Sequence, residues 1–465
     1  MPGARCPVCM PMLRRGEDLG WHSQIEGLRI RQGYGNHSVH RQNPKRHKNA
    51  PPGGRVLPGR DRGSLSVVAS YYGFVMVGVS AGVAGVLLPA QMRDYGVDRT
   101  TIGITFFVFS AGFMLAGSSA GALVHRLGPR VALAVGSSAF AACAFYMATR
   151  PSFPALVTVQ LALGYGVGVL ESVLNAYLAR LPRATPRLNQ LHAFFGVGAL
   201  IGPLLAAWML RSWPWPRVYL VIAVLIVPLL ASVLLIFPKS ALPAGEAASV
   251  KEKGHHGLLR ATARDRGVLL GALFLAVYVG LEISFGNWGF SFLVDGRGQP
   301  QLVAGYAVSG YWLGLTVGRF VISRAASRIG LGEVGMTSTC LAGIVAAIGL
   351  IWLVSAPVLA SVCIALLGFF LGPIFPTTMV ITPRLTEDRL IPTAIGFMNG
   401  VSVGGGCLLP WLAGTITQAE GLTTLIPFCA GLAGLLLLIW WRLGRRVPQR
   451  PDVPSQAQQK AARAI

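Results

Sequence analysis

Residues 112–130, GFMLAGSSAGALVHRLGPR, decide how this chain is built. They begin as a run of small and apolar residues and end in His125, Arg126, Leu127, Gly128, Pro129 and Arg130. That is how an apolar helix running into a tight basic loop reads. The spacing is Gly112, eight residues, Gly121, three residues, His125. About 202 residues further on it returns as GLTVGRFVISRAASRIG, residues 314–330: Gly314, eight residues, Ser323, three residues, Ser327, then Arg328, Ile329 and Gly330. A block repeated at that distance implies two related halves.

On either side of both blocks the apolar residues come in solid runs. The chain has 465 residues, 53% of them hydrophobic and 12% charged, and a mean hydropathy of +0.57, which does not suit a soluble surface. Between Val67 and Trp441 the sequence repeatedly passes ~20 residues with hardly a charge, the length a helix needs to cross a bilayer core. A barrel would instead show alternating strands of about ten residues. Helices are expected at 67–90, 101–124, 129–149, 154–178, 190–210 and 216–237, and again at 267–293, 301–324, 331–353, 357–382, 391–416 and 421–441. The fold class is therefore an all-α membrane protein, twelve transmembrane helices in two six-helix pseudo-symmetric bundles. In domain terms, 1–64 is a basic disordered arm, 65–238 the first bundle, 239–266 a polar central loop, 267–441 the second bundle and 442–465 a basic tail.

The formal charge of +23 invites a nucleic-acid reading, but its distribution argues against one. Lys and Arg gather in the arm, the tail and the loops between apolar runs, as in membrane proteins with both termini cytoplasmic. The inside loops are then 125–130, 180–187, 239–266, 324–328 and 384–389. The outside loops are poorer in charge, though Arg93 with Asp94, Arg150, Arg211, Arg217 and Arg297 are there. Trp213 and Trp215 fall at the outer interface and Trp440 and Trp441 at the inner one. The arm lacks the apolar stretch of a cleaved signal, and a translation start downstream of it is equally compatible with the sequence. Of seven cysteines, Cys143, Cys340, Cys363, Cys407 and Cys429 stand singly within helices as small packing residues. Cys6 and Cys9 form one CxxC with no second pair, so even with His22 nearby a zinc site is not expected.

The repeated loop resembles the signature loop of the major facilitator superfamily, and the resemblance covers nearly all of 67–441. It implies a substrate site between the halves near the bilayer midplane, and a gating loop formed here by Gly121, His125, Arg126, Gly128 and Arg130, with Arg328 and Gly330 in the second half. The family usually has Asp at the position of His125. That Asp joins a charge network holding the outward-facing state, so the network is expected to be weaker or pH-sensitive here, unless His125 is merely a tolerated loop residue.

An ionisable group inside an apolar helix is costly and so suggests function. Glu171 lies in GYGVGVLESVLN, residues 164–175, and shares a helical face with Asn175. Proton coupling is its expected role, with a structural Glu bonded to a neighbouring helix as the alternative. The segment is similar to helix 4 of the fucose permease branch, as is the following Arg187, Leu188, Asn189, His192, Phe195 and Gly198. The resemblance implies that Glu171 is the proton-linked acid and Asn175 a polar contact. Two departures set this chain apart: His192 and Phe195 stand where the sugar permease has amides, and Gly85 replaces its helix 1 Asp. Glu282 is a second buried acid, flanked by Tyr278, Asn287 and Trp288. His192, which aligns with Asn399 of the repeat, reads as a packing histidine or a substrate contact. Trp312, Thr316 and Arg319 share a face. For Arg319, snorkelling toward the cytoplasm is preferred over pairing with Glu282 or a substrate carboxylate. Gly164 with Gly168, and 404–406, read as close helix contacts and hinges, since no phosphate-loop lysine follows them.

The expected function is that of a secondary active, proton-coupled transporter, a monomer in the cell membrane importing a small polar solute such as a sugar. Glu171 and Glu282 would carry protons; Asn175, His192, Tyr278, Asn287, Trp288, Trp312 and Asn399 would meet the substrate. The partners are that solute, protons and the lipid bilayer, with no nucleic acid, cofactor or metal. Efflux is the rival, because Gly198, Gly202, Pro203, Ala206 and Ala207 resemble the antiporter motif of drug exporters. A non-transporting receptor is the further alternative. No nucleophile elbow, HExxH or cofactor fingerprint points to an enzyme.

Overall fold

Why so many of these helices can lie against one another is answered by their glycines. A computed structural model describes residues 59–238 and 255–447. The CxxC with His22, the centre of the polar loop and the end of the basic tail lie outside the described residues.

The first half contains α1 (Gly59–Tyr95), the short α2 (Arg99–Ile102), α3 (Ile104–Ala148), α4 (Phe153–Ala179), α5 (Ala184–Met209) and α6 (Pro216–Ile236). After a short α7 (His255–Thr262), the second half contains α8 (Arg266–Ser291), α9 (Gln301–Arg328), α10 (Glu333–Leu353), α11 (Pro357–Leu371), α12 (Ile374–Ile381), α13 (Ile391–Glu420) and α14 (Leu425–Gly444). Among the described residues, ten helices are long and apolar enough to cross a membrane. One of them, Arg99–Ala148, runs 50 residues, about twice what one crossing needs. It divides at Gly128, where φ is 82°; only glycine adopts that geometry without strain. Gly330 holds the repeated position with φ 72°. α9 is more polar, with Ser309, Thr316 and Arg319 in its length, and brings the crossings to the twelve expected.

Several boundaries differ from expectation. The span expected at 357–382 breaks at Gly372 and Pro373, because Pro cannot donate the helical hydrogen bond. α7 forms within the central loop, and the helix begun by α8 ends in a π-helical turn, Phe292–Gly296. Trp440 is not an interface residue. It is buried against Phe274 and its Nε1 donates to Ser338 Oγ at 3.0 Å, while its neighbour Trp441 is 53% exposed. Trp215 is likewise buried, whereas Trp213 is open. Consecutive residues on a helix point about 100° apart, so α14 cannot present both of its indoles to one surface.

Within each half the helices touch backbone to backbone. A Cβ on Gly112 would sit 2.0 Å from Leu161 O, and one on Gly198 2.0 Å from Val75 O. In the second half Gly314 and Gly405 do the same against Ala365 O and Ala276 O, both at 2.1 Å. Of the glycines expected as helix contacts, Gly164 and Gly168 pack on α3 and Gly405 and Gly406 on α8, but Gly404 faces open space.

Between the halves, contact runs from one end to about mid-span, where Gly196 of α5 packs on Thr316 of α9. Along this stretch α1 meets α8, α5 meets α9 and α13 meets α2 and α3. Gly103 packs on Trp411, the Phe107 ring meets that of Trp411, and the Ser110 hydroxyl reaches the Cys407 thiol. Arg99 donates to Thr417 O at 3.0 Å. Further along the same α3–α13 seam, a Cβ on Gly117, Gly121, Gly396, Gly400 or Gly404 would meet nothing within 4 Å. The bundle is closed at the end bearing α2 and open at the end bearing Gly128 and Gly330.

Candidate functional site

The ionisable side chains of the span interiors gather around Arg319. Its Nε donates to the carbonyl of Gly372 at 3.2 Å, an acceptor left free because Pro376, four positions on, has no N–H. Arg319 therefore does not run out along the helix to the surface as the sequence suggested. It acts electrostatically on Glu171 from α4, His192 from α5, and Tyr278 and Glu282 from α8. Two carboxylates, one from each half, thus feel the same guanidinium through space, without a direct ion pair to it. Both acids are half-buried.

Each residue has a local reason for its place. Asn175 Nδ2 donates to Glu171 O at 2.9 Å, so part of its amide is used within α4. Tyr278 is fully buried and donates to Leu371 O at 3.0 Å, its hydroxyl beside Glu282 and Arg319. Glu282 lies one turn further on, and its backbone carbonyl accepts from Tyr311 at 2.9 Å. His192 is exposed to the opening, with its ring edge-on to Phe74 at 5.6 Å. Asn399 is exposed on the open face of α13. Trp312 is buried edge-on to Tyr311, and its Nε1 has no hydrogen-bond partner among the described residues.

Besides Tyr278, whose buried hydroxyl is taken by Leu371 O, two expected substrate contacts are occupied by packing. Trp288 is buried and donates to Pro410 O at 2.7 Å, away from the Arg319 group. Asn287 is half-buried where α8 crosses α1: a Cβ on Gly85 would lie 2.5 Å from Gly286 O and 2.8 Å from Asn287 Cα. The absence of an acid at Gly85 thus has a steric reason, since an Asp there would collide with the backbone of the other half. The motif that suggested efflux is also taken up by packing, with Gly198 and Gly202 against α1 and Ala207 against Gly305 of α9.

At the open end His125, Arg126, Arg328 and Gly330 are exposed, Arg130 is half-buried, and Gly121 borders open space. Sequence reasoning preferred snorkelling for Arg319 over pairing with Glu282, because it lies near the expected end of its helix. The signal present was a cation on one face with Trp312 and Thr316. Among the described residues no group of three or more metal-ligating side chains is present.

The arrangement suits charge movement more than bond chemistry. With both carboxylates ionised the group carries one net negative charge, and one added proton makes it neutral. A buried unbalanced charge costs several kcal/mol, so proton occupancy and the pairing of Arg319 are tied together.

Comparison with known proteins bears on this geometry. The model of the Major Facilitator Superfamily matches residues 71–362 and 290–464. Bypass of stop codon protein 6 of Saccharomyces cerevisiae is 25% identical over 418 residues, 81% of this chain and 82% of that protein. A glucose/galactose transporter of Brucella abortus is 24% identical over 373 residues, 75% of this chain and 87% of its own. Among solved structures, the E. coli fucose:proton symporter superposes with a TM-score of 0.58 at 17% identity, covering 83% of this chain and 98% of that one.

Proposed function

The chain belongs to the Major Facilitator Superfamily, and from that premise we propose that it imports a sugar or related small polar solute together with protons. It is a multi-pass membrane protein for secondary transport of small solutes, not an enzyme. The observation that carries the finer reading is the pair of carboxylates, Glu171 and Glu282, around Arg319. A neutral solute does not disturb a charge group that one proton has already balanced, so sugar and proton can travel together. The sugar-related names of the relatives agree with this choice of solute.

In this reading Glu171 is the proton-carrying acid, Glu282 its counterpart, and His192, Asn399 and the free Nε1 of Trp312 meet the solute. The termini are cytoplasmic, so the open end is the inner one and the conformation is inward-facing. Alternating access proceeds as each half, held by its glycine contacts, rocks about the closed seam. The protein works as a monomer.

The test is uptake of labelled hexoses into proteoliposomes under an imposed proton gradient. Gradient-driven uptake is expected in the wild type and is lost in Glu171→Gln, while exchange across the membrane at equal pH persists. Driven uptake unchanged by the substitution removes Glu171 from the mechanism. Ligand binding without flux identifies a receptor, and gradient-driven expulsion identifies an exporter.

A further inference from the structure

At the closed end, apart from the Arg319 group, a cavity of about 450 Å³ is walled by residues of both halves. The first half contributes Arg93 and Asp94 from the end of α1, Arg150 from the turn before α4, and Trp213 and Trp215 from the loop before α6. The second half contributes Gln301, the first residue of α9.

One wall is held firmly. The Asp94 carboxylate receives both prongs of the Arg150 guanidinium and the indole Nε1 of Trp215, the last at 2.8 Å. Three separate segments are thereby tied to one acid, and the charge of Arg150 is spent on it. What remains is available. Arg93 is 60% exposed and makes only a long, solvent-open ion pair with Asp295, at 3.9 Å. Trp213 is 40% exposed, with the guanidinium of Arg217 over its ring at 5.7 Å. The side chain of Gln301 makes no hydrogen bond among the described residues.

A solvent-exposed guanidinium in a weak ion pair, a partly exposed indole and a free side-chain amide are complementary to one kind of ligand. The guanidinium takes a carboxylate or phosphate, the indole stacks on the apolar face of a ring, and the amide takes a hydroxyl. We propose that this cavity is a second binding site, for a small anion that carries a ring or polyol body, and that the ligand holds the closed end shut by touching both halves. A ligand that binds one state only shifts the equilibrium toward it, so occupancy slows reopening of this end.

The probe is D-glucuronate, with D-glucose as the uncharged control, titrated against the purified full-length protein by tryptophan fluorescence. Saturable quenching is expected for glucuronate and not for glucose at the same concentrations. Arg93→Gln is expected to weaken it by about tenfold to a hundredfold, the loss of one charge-assisted hydrogen bond. Trp213→Leu removes the signal, and Arg319→Gln leaves the titration as in the wild type. The Arg319 control keeps the result independent of the transport reading, since binding at the central group would be lost there. Repeating the titration in phosphatidylcholine and phosphatidylglycerol nanodiscs identifies the source of the anion. Weakening by phosphatidylglycerol alone assigns the site to a lipid headgroup, and equal titrations assign it to a soluble anion. No saturable quenching, an equal response to glucose, or wild-type titration in Arg93→Gln overturns the proposal.

Discussion

Gly112 in the first half leans on the backbone of Leu161, and Gly314, its counterpart in the repeat, leans in the same way on Ala365. Gly164 faces Phe109 as Gly368 faces Tyr311. The same register carries Arg319 onto Gly117, and Glu171 onto Phe375. The two halves thus keep one packing scheme and differ in the charges placed on it. Backbone contacts tolerate little variation because a single methyl group would collide, whereas positions facing the opening can change freely. The lesson is that symmetry here belongs to the scaffold. A base in one half and an acid in the other make a pairing that depends on how the halves sit.

That contrast can be broken most directly at Arg319. Arg319→Ala removes the cation that acts on both half-buried acids, so their negative charges lose their counterweight. Transport is expected to fall by at least about a hundredfold and the melting temperature to drop. Uptake assays and thermal unfolding read both, and an unaltered variant would mean that the group is not coupled. Sharper still is a double-mutant cycle between Glu171→Gln and Arg319→Gln, measured on exchange rates. A coupling of about 0.5–3 kcal/mol is expected, whereas a cycle between Glu171→Gln and Gly117→Ala, the repeat counterpart of Arg319, should give none.

The shared scaffold predicts equal damage in both halves. Gly112→Val and Gly314→Val each force a side chain into a backbone carbonyl and are expected to cost about 1–3 kcal/mol of stability. Unequal shifts in unfolding temperature would show that the halves are not packed alike. The smallest effect lies at the closed end, where Asp98 caps α2 by accepting from Thr101 N at 2.8 Å. This bond holds its carboxyl below the usual carboxylate range. The depressed value means that its contribution is present in full above the unfolded pKa of about 4 and is lost as pH falls through the folded value. Asp98→Ala should lose about 0.5–1 kcal/mol at neutral pH and nothing further on acidification, which unfolding scans across acidic pH would reveal.

Much of this was legible in the sequence. The repeat around residues 112–130 and 314–330 announced the halves, and the apolar runs the crossings, because both are set by local spacing. What escaped depends on partners distant in the chain. Arg319 lies five residues before the expected helix end, a distance its own side chain can span. Only Pro376, which cannot donate to Gly372 O from within a uniformly apolar run, leaves it a carbonyl instead. Trp288 looked like a substrate contact because its indole is polar at one atom, yet Pro410 of another helix takes that atom. Glu171 and Glu282 stood out on cost alone, and a pairing of Arg319 with Glu282 is open to the sequence, but nothing in either segment ties that cation to Glu171.

The bare stretch of the α3–α13 seam has a consequence for the route of the proton. Gly117, Gly121, Gly396, Gly400 and Gly404 place no side chain in the gap, so water can stand directly against helix backbone there. Under the proposed mechanism, a proton leaving the Arg319 group toward the open side enters a hydrated passage rather than a relay of titrating side chains. Its release is then set by the opening of the seam, and no further residue on that side has to be tuned to accept it.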